Sequence, residues 1–265
     1  MIALGLPDPG KPSDTTGPPS PAAARGTLVH AVLEHLFDLP AADRTPAAAV
    51  ALLEPRWSAL VEERPELKAM IDDDEQLTQE SWFAAAQTLV EQWFDLEDPT
   101  RLEPAARELY VETEVEGLTL RGYVDRLDVA PDGAMRVVDY KTGRSPSELF
   151  EAKALFQMKF YALVLWRTRG VVASQLKLLY LGDGEALTYA PDEVELVRFE
   201  RTLQAIWAAI ERAVSTQDFR PNPSRLCGWC DHQAFCPSFG GTPPPFPAEA
   251  AAAAGWATLP IVERD

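Results

Sequence analysis

The amino-acid sequence predicts an α/β (α+β) domain with a mixed central sheet flanked by helices. Apolar residues recur at helical spacing in the first part of the chain, alternate every second residue from about Glu108, and return to helical spacing from about residue 147. The chain has 265 residues and is 46% hydrophobic, so it can bury a substantial core. The order is therefore helices, sheet, helix, sheet, helix.

Residues 1–24 are rich in Pro, Gly, Ser and Ala without a periodic apolar pattern, so we expect an unstructured leader. The next stretch predicts a helix from the spacing of Leu28, Val32, Leu33, Leu36 and Phe37. This helix carries His30 and Glu34 on one face, one turn apart. Glu34 is either a hydrogen-bond partner of His30 or a solvated charge. Two further helical stretches are expected near residues 46–63 and 78–97.

The sheet begins with three alternating segments, RELYVETEV, LTLRGYVDRLDVA and AMRVVDYKTG. The sequence PDG at 131–133 supplies a hairpin turn, so these segments predict an antiparallel meander. An amphipathic helix near 147–169, strands near 174–181 and 185–190, and a helix from about Asp192 to Val214 are expected to follow.

The charge of the chain limits its partners. It has 24 Lys and Arg against 41 Asp and Glu, a net charge of −17, which argues against a protein that coats nucleic acid. Residues 121–177 carry ten basic and six acidic side chains, so a local basic strip is compatible with the sequence. No apolar run approaches the roughly 18 residues of a membrane span, and the opening MIALGLPDPG lacks the features of a signal peptide. We expect a cytoplasmic location.

Two aspartates are expected to face each other across the predicted hairpin. If the turn is centred on Asp132, residues whose numbers sum to 264 are opposite, which places Asp125 and Asp139 at a Cβ separation of about 5 Å. Facing carboxylates repel, and a divalent cation between them makes the arrangement favourable. Lys141 shares the face of Asp139. Hard oxygen ligands beside an ammonium group suit Mg²⁺ or Mn²⁺ and metal-assisted hydrolysis, although an isolated DxK triplet is also typical of solvated strand residues.

Four motifs in order are similar to those of the RecB-like PD-(D/E)XK nucleases. RGTLVHAVLE resembles their GxxxH helix, GYVDRLD and VVDYKTG resemble their second and third motifs, and QMKFY resembles their QxxxY motif. The resemblance covers residues 25–161 and implies a restriction-endonuclease-like PD-(D/E)XK core. It implies metal binding by His30, Asp125, Asp139 and the backbone carbonyl of Tyr140, with Lys141 acting in catalysis.

The same resemblance implies that Gln157 and Tyr161, one helical turn apart, contact DNA or support the site. The alternative is a pair of ordinary residues on a helix surface. Arg126 and Arg144 flank the motifs and are candidates for phosphate contacts. Either could instead be a surface arginine in a salt bridge, and His30 taken alone could be an ordinary hydrogen-bonded histidine.

The segment CGWCDHQAFC contains the three cysteines of the chain, Cys227, Cys230 and Cys236. It resembles the C-terminal part of the iron–sulfur site in some RecB-like nucleases, including AddB-type and CRISPR-adaptation enzymes. A [4Fe–4S] cluster normally takes four thiolates, and the fourth cysteine, which those families supply upstream of the GxxxH helix, is absent here. The alternatives are zinc bound by the three cysteines with His232, an empty site, a shortened or altered N-terminus, and chance cysteines.

Taken together, these features predict a nuclease domain at residues 25–220, a cysteine-containing loop at 221–240 and a low-complexity tail at 241–265. The expected function is a Mg²⁺- or Mn²⁺-dependent DNA nuclease, an exonuclease by resemblance, in repair or recombination. Single-stranded DNA or DNA with free ends is the expected substrate. The alternatives are a catalytically inactive DNA- or helicase-binding subunit and a zinc-knuckle interaction module. No GxxxxGK[ST] motif is present, so an associated helicase would be a separate subunit.

Overall fold

The computed structural model describes most of the chain, namely residues 20–68, 78–145, 148–230 and 232–246, without the side chains of 148–153 and 229. The chain divides into two compact units, residues 18–201 and residues 1–17 with 202–265. The expected nuclease segment, 25–220, spans this division. Most of the expected leader, residues 1–19, and of the expected tail, residues 247–265, lie outside the described residues.

The described elements follow the predicted order of helices and strands. The helices are α1 (Pro21–Leu36), α2 (Pro46–Ala51), α3 (Leu53–Glu63), α4 (Gln79–Leu96), α5 (Glu148–Arg169) and α6 (Glu193–Thr216). The strands are β1 (Ala106–Val115), β2 (Leu118–Val129), β3 (Met135–Lys141), β4 (Gln175–Tyr180) and β5 (Glu185–Tyr189). No described helix has the length and apolar character that crossing a membrane requires.

Two helix boundaries differ from the sequence-based expectation. Helix α1 begins at Pro21, four residues before the expected start, because the Ser20 side chain accepts a hydrogen bond from the Ala23 N–H at 3.2 Å and proline is well suited to the first helical position. The single helix expected at 46–63 is two helices, α2 and α3. Pro55 explains the break, since its ring would clash with the carbonyl four residues earlier in a continuous helix.

The five strands form one mixed sheet in the order β1-β2-β3-β4-β5. Strands β3 and β4 are parallel and are linked through α5, whereas the other neighbours are antiparallel. The described β2–β3 pairs run from Arg126↔Val138 to Val129↔Met135, so the predicted register is confirmed for these residues. Gly133 adopts a φ of +87° in the connecting turn. The mixed sheet and its predicted meander are thus present.

Both faces of the central strands are covered. The core of helices α1 to α4 includes Val138, Tyr140 and Leu179 from one face of β3 and β4. The intervening residues Val137 and Leu178 are fully buried as well, and they point to the opposite face, where α5 packs against β1 to β4. A charged side chain on these strands is therefore either at a functional opening or paired inside the core.

Candidate active site

One carboxylate from β2 and one from β3 lie at the point where the pairing of these strands stops. Asp125 and Asp139 are the next positions in the register beyond the last pair, Arg126↔Val138. In place of a further backbone bond, the Tyr140 N–H donates to Asp125 Oδ2 at 2.7 Å. The predicted proximity of the two aspartates therefore has a structural basis in the confirmed register.

Glu108 on β1 adds a third carboxylate that the sequence analysis did not identify. It lies opposite Asp125 in the β1–β2 register, between two regular pairs. Its backbone has a φ of +43°, in the left-handed region that glutamate rarely adopts, so β1 is irregular at this residue. The sequence signal for its position is the turn at Glu116 and Gly117 between β1 and β2, because this turn sets the register that places Glu108 opposite Asp125. Both turn residues have positive φ, as a tight two-residue turn requires.

His30 reaches this row of carboxylates from α1. Its Nε2 lies 3.0 Å from the Tyr140 carbonyl oxygen, and its Nδ1 lies 3.5 Å from Asp125 Oδ2 and 3.9 Å from Glu108 Oε1. One ligand atom from each of His30, Glu108 and Asp125 lies within 4.8 Å of the others. The structure thus gathers an imidazole, carboxylates and a backbone carbonyl in one small space.

The electrostatics of this space favour a bound cation. Burial, followed by the charge of Asp139, raises the pKa of Asp125 to about 7. Burial also raises the pKa of Asp139, although Lys141 opposes the effect. Burial would lower the pKa of His30, but its polar contact with Glu108 and the charge of Asp125 outweigh it and raise that pKa. Excess negative charge with hard oxygen donors and one imidazole fits Mg²⁺ or Mn²⁺.

Lys141 is held beside the carboxylates by two partners. Its Nζ lies 2.7 Å from Asp139 Oδ2 as an ion pair, and it donates a hydrogen bond to Gln157 Oε1 at 2.9 Å. Gln157 in turn donates to the Tyr161 hydroxyl at 3.0 Å. Tyr161 is buried, and a Cβ at Gly122 would lie 2.9 Å from its ring, so this glycine permits the close approach of α5 to β2. The structure therefore joins Gln157 and Tyr161 of α5 to Lys141 through hydrogen bonds.

The prediction that Arg126 contacts phosphates is wrong. Its side chain is fully buried on the side of the sheet covered by α4, where it bonds Glu97 and the Tyr140 hydroxyl. Successive residues of a strand point to opposite faces, so the neighbour of Asp125 cannot share its opening. Arg126 is a core arginine.

Arg144 remains accessible beside a cleft of about 780 Å³ that Gly26, His30, Glu108 and Lys141 also line. The adjacent Ser145 donates to Asp183 Oδ2 from its N–H at 2.9 Å and from its hydroxyl at 2.6 Å, so the loop after β3 is fixed. Glu34 lines the same cleft. The carboxylates measured closest to the His30 ring are those of Asp125 and Glu108, however, so they replace Glu34 as its acidic partners.

The cysteine segment lies in the second unit and consists of short 3-10 helices, Arg225–Trp229, Gln233–Phe235 and Pro237–Phe239. All three cysteines are unbridged, and the Ser224 N–H donates to Cys227 Sγ at 3.2 Å. Within the described ranges, the cysteines and His232 are not among the ligand atoms that gather within 4.8 Å of one another.

Comparisons with known proteins agree with the geometry. A family model described as the PD-(D/E)XK nuclease superfamily matches residues 3–237. The Gene 69 proteins of Mycobacterium phages D29 and L5 are each 32% identical, over 137 and 139 residues. These matches cover 51% of this chain and 48% and 45% of the phage proteins, so the chain spans about half the length of the curated relatives it matches.

A solved structure also resembles the chain. It belongs to a protein from Eubacterium rectale named as a presumptive exonuclease, at 14% sequence identity and a TM-score of 0.44. The similarity covers 70% of this chain and 79% of that one.

Proposed function

Because this chain belongs to the PD-(D/E)XK nuclease superfamily, we propose that it is a Mg²⁺- or Mn²⁺-dependent deoxyribonuclease of the RecB-like type. The observation that carries the proposal is the meeting of His30, Asp125 and Asp139 with the Lys141 ammonium at the end of the β2–β3 ladder. We further propose that it acts as an exonuclease in DNA repair or recombination.

The metal ligands in this proposal come from three strands and one helix. Asp125, Asp139 and the Tyr140 carbonyl would hold the cation with His30, and Glu108 is an additional carboxylate ligand. Bound there, the cation would lower the pKa of a coordinated water and offset charge on the scissile phosphate. Burial and the charge of Asp139 raise the pKa of Asp125, and a cation bound beside these carboxylates would offset both effects.

Lys141 has a separate role from the metal ligands. Asp139 and Gln157 hold its ammonium group at a fixed place. This place is beside the proposed metal ligands, called the ligand cluster below: His30, Glu108, Asp125, Asp139 and the Tyr140 carbonyl. From there Lys141 would donate a hydrogen bond to the attacking water or to a non-bridging phosphate oxygen, where negative charge increases in the transition state. Because these partners are already in place, little reorganisation is needed when substrate arrives.

Two exposed tyrosines support single-stranded DNA as the substrate. Tyr110 and Tyr123 face each other on β1 and β2, with 46% and 58% of their surfaces exposed and their ring centroids 5.3 Å apart. Each lies two residues from Glu108 or Asp125, about 7 Å along its strand. Unpaired bases stack on aromatic rings without regard to sequence, whereas paired bases do not offer their faces.

Phosphate contacts would come from Arg144, which is exposed at the edge of the cleft. The sequence offered both Arg126 and Arg144 for phosphate contacts, and we propose Arg144 alone because Arg126 is buried. Local positive charge of this kind allows a DNA strand to bind a chain whose net charge is −17.

The competing proposal is an inactive subunit that binds DNA or a separate helicase. The acidic net charge motivates it. The grouping of His30 and Asp125 with the Asp139–Lys141 pair argues against it, because a role in binding alone does not require carboxylates, an imidazole and an ammonium group in one small space. We therefore propose that any helicase partner works with an active nuclease.

The test is cleavage of end-labelled linear DNA, single- and double-stranded, with Mg²⁺, Mn²⁺ or EDTA. We expect metal-dependent cutting by the wild type and none by Lys141→Ala. Lys159→Ala is the matched control, because Lys159 is also a lysine in an ion pair, with Glu195, and its recorded partners include none of the proposed metal ligands. Equal cutting by wild type and Lys141→Ala would overturn the proposal. A circular single strand tests the exonuclease assignment, since only an endonuclease would open it.

The cysteines form a separable part of the proposal. We propose that Cys227, Cys230 and Cys236 bind iron–sulfur or zinc after local rearrangement, since CxxC with a third cysteine six residues later is an uncommon ligand pattern. The metal content of anaerobically purified protein decides between them. Iron with sulfide would support a cluster, and zinc would support a knuckle. Protein that contains neither metal would refute the cysteine proposal and leave the nuclease proposal intact.

A further inference from the structure

Arg126 lies in a closed network of charges behind the catalytic strand. All five of its N–H groups are used: Nη1 donates to Glu97 and to the Tyr140 hydroxyl, Nη2 to Glu97 and Asp128, and Nε to Asp128. The two bonds to Glu97, at 2.7 and 2.9 Å, form a bidentate pair. A fully buried arginine with every donor satisfied has a fixed position.

Glu97 links this arginine to two other elements. It extends from the end of α4 and also accepts a bond from Lys177 of β4 at 2.9 Å. Burial raises the pKa of Glu97, but Arg126 and Lys177 outweigh that effect and lower the pKa, so the carboxylate stays charged. The network therefore ties α4, β2 and β4 together around the Tyr140 side chain.

Tyr140 is the residue through which this network reaches the candidate active site. Its ring is buried among Arg126, Trp93 and His30, with the His30 ring 5.8 Å away at a nearly perpendicular angle. Its backbone faces the ligand cluster, because its N–H bonds Asp125 and its carbonyl oxygen lies 3.0 Å from His30 Nε2. Two proposed ligands thus touch the main chain of one residue.

The pairing of the strands shows why this matters. The β2–β3 backbone ladder ends at Arg126↔Val138, so no further backbone bond to β2 fixes Tyr140. Instead, two consecutive residues of β2 hold it by side chains, Asp125 at the main-chain N–H and Arg126 at the hydroxyl on the opposite face. The missing bonds on the β2 side leave the Tyr140 carbonyl available to a ligand. Tyr140 is held from two sides, by the parallel pairing of β3 with β4 at Tyr140↔Leu179 and by the side chains of Asp125 and Arg126.

We propose that Arg126, held by Glu97, is a positioning residue for the metal centre, which fixes the Tyr140 carbonyl and, through the Tyr140 main chain, Asp125 and His30. The inference rests on the proposed function in that it concerns the cation of that site. A merely structural network would stabilise the fold without changing metal affinity. The two roles are therefore separable by measuring metal binding and stability in the same variants.

A matched control exists in Arg44. This arginine is also buried, at 4% exposure, and donates to the carbonyls of Leu39 and Leu102 and to Glu103. Its bonds join the segment after α1 to the segment after α4, and its recorded partners include neither Tyr140 nor a proposed metal ligand, although both arginines lie over the Phe37 ring. Arg44→Lys and Arg126→Lys both shorten a buried cation and leave acceptors unpaired, so they should destabilise the chain to a similar degree.

The first variant is Tyr140→Phe, which removes one hydroxyl and keeps the carbonyl and the ring. We expect the dissociation constant for Mn²⁺, measured by titration calorimetry on the full chain, to rise about tenfold, the lower end of the loss typical when a group behind a metal ligand is removed. Arg126→Lys should weaken Mn²⁺ binding further. Arg44→Lys should bind Mn²⁺ as the wild type does, with an equal loss of stability to urea.

Wild-type affinity for Mn²⁺ in Tyr140→Phe would overturn the inference, and so would equal affinities of Arg126→Lys and Arg44→Lys. If Arg126→Lys does not fold, the Tyr140→Phe comparison decides alone. Cleavage is a separate measurement. A wild-type protein that binds Mn²⁺ but does not cut DNA would refute the proposed nuclease. The dissociation constants for Mn²⁺ would still decide whether Arg126 has a positioning role. In an active enzyme, excess Mn²⁺ should restore the turnover of Tyr140→Phe.

Discussion

Lys141 and Asp139 form an ion pair of 2.7 Å on one face of β3, and the free side of the same ammonium group donates to Gln157 at 2.9 Å. The carboxylate is buried, with 2% exposure, whereas the lysine remains partly accessible. The ammonium group therefore has one partner in the sheet and one on α5, and its position depends on both.

Removal of the helix partner should slow cleavage without removing the metal. We expect Gln157→Leu to lower kcat about tenfold, because Lys141 loses the hydrogen bond that orients it. Metal affinity should stay at the wild-type value. Gln87→Leu is the control, since Gln87 bonds only Glu91 on α4 among its recorded partners. A rate unchanged in Gln157→Leu would show that Asp139 alone orients the lysine.

Glu108 should contribute to metal affinity. Glu108→Gln keeps the shape of the side chain but removes one negative charge from the ligand cluster. We expect the Mg²⁺ concentration for half-maximal activity to rise about tenfold with kcat nearly unchanged at saturation. Glu112→Gln on the same strand is the control for charge alone. Identical Mg²⁺ dependence of the two variants would exclude Glu108 as a ligand.

The metal-free protein should lose stability as pH rises. The pKa of Asp125 is about 7 in the folded chain and near its ordinary value, 3.8, when unfolded. The folded state therefore holds the proton more tightly, and this stabilisation is complete below about pH 4 and is lost as pH rises through about 7.

Melting temperatures in EDTA between pH 5 and pH 8 check this dependence. Asp125→Asn keeps an acceptor for the Tyr140 N–H and cannot ionise, so its melting temperature should exceed that of the wild type by several degrees at pH 8 and by less at pH 5. A constant difference across this range would contradict the raised pKa. Mg²⁺ should stabilise the wild type most at pH 8, where Asp125 is ionised.

Arg144 and Arg126 should respond oppositely to substitution. Arg144→Ala should raise the KM for DNA several-fold without lowering the free energy of unfolding, because the side chain is exposed at the cleft. Arg169→Ala, at the far end of α5, is the charge-matched control.

Arg126→Ala should fail to fold stably, because it leaves Glu97 and Asp128 without their main partner. An Arg126→Ala protein as stable to urea as the wild type would contradict this buried role.

The tyrosine pair should govern strand preference. Replacing Tyr110 and Tyr123 together by alanine should weaken binding of a single-stranded oligonucleotide in Ca²⁺ at least tenfold, since each stacked base contributes roughly 1–3 kcal/mol. The double Tyr→Phe variant keeps the rings and should bind as the wild type does. Binding of a blunt duplex should change little. Equal losses for single strand and duplex would indicate a disturbed hairpin instead.

The local sequence was sufficient for most of the fold, because hydrophobic periodicity and turn residues act over short distances. Alternation placed the strands, and a turn centred on Asp132 fixed the register that brings Asp125 and Asp139 together. The same local rules account for two differences between the expected and the observed structure. Pro55 signals the break before α3, and strand alternation places Arg126 on the face opposite Asp125.

The remaining features depend on contacts between distant parts of the chain. His30 meets the Tyr140 carbonyl across 110 positions of sequence, and Glu97 meets Arg126 across 29. Neither pairing has a local pattern, since it is set by how α1 and α4 pack on the sheet. The sequence by itself therefore determined the elements, the hairpin register and the facing aspartates. Only the tertiary structure decided that the His30 ring lies beside Asp125 and Glu108 and that Arg126 is fully buried against Glu97, because burial and long-range packing select a side chain's partners.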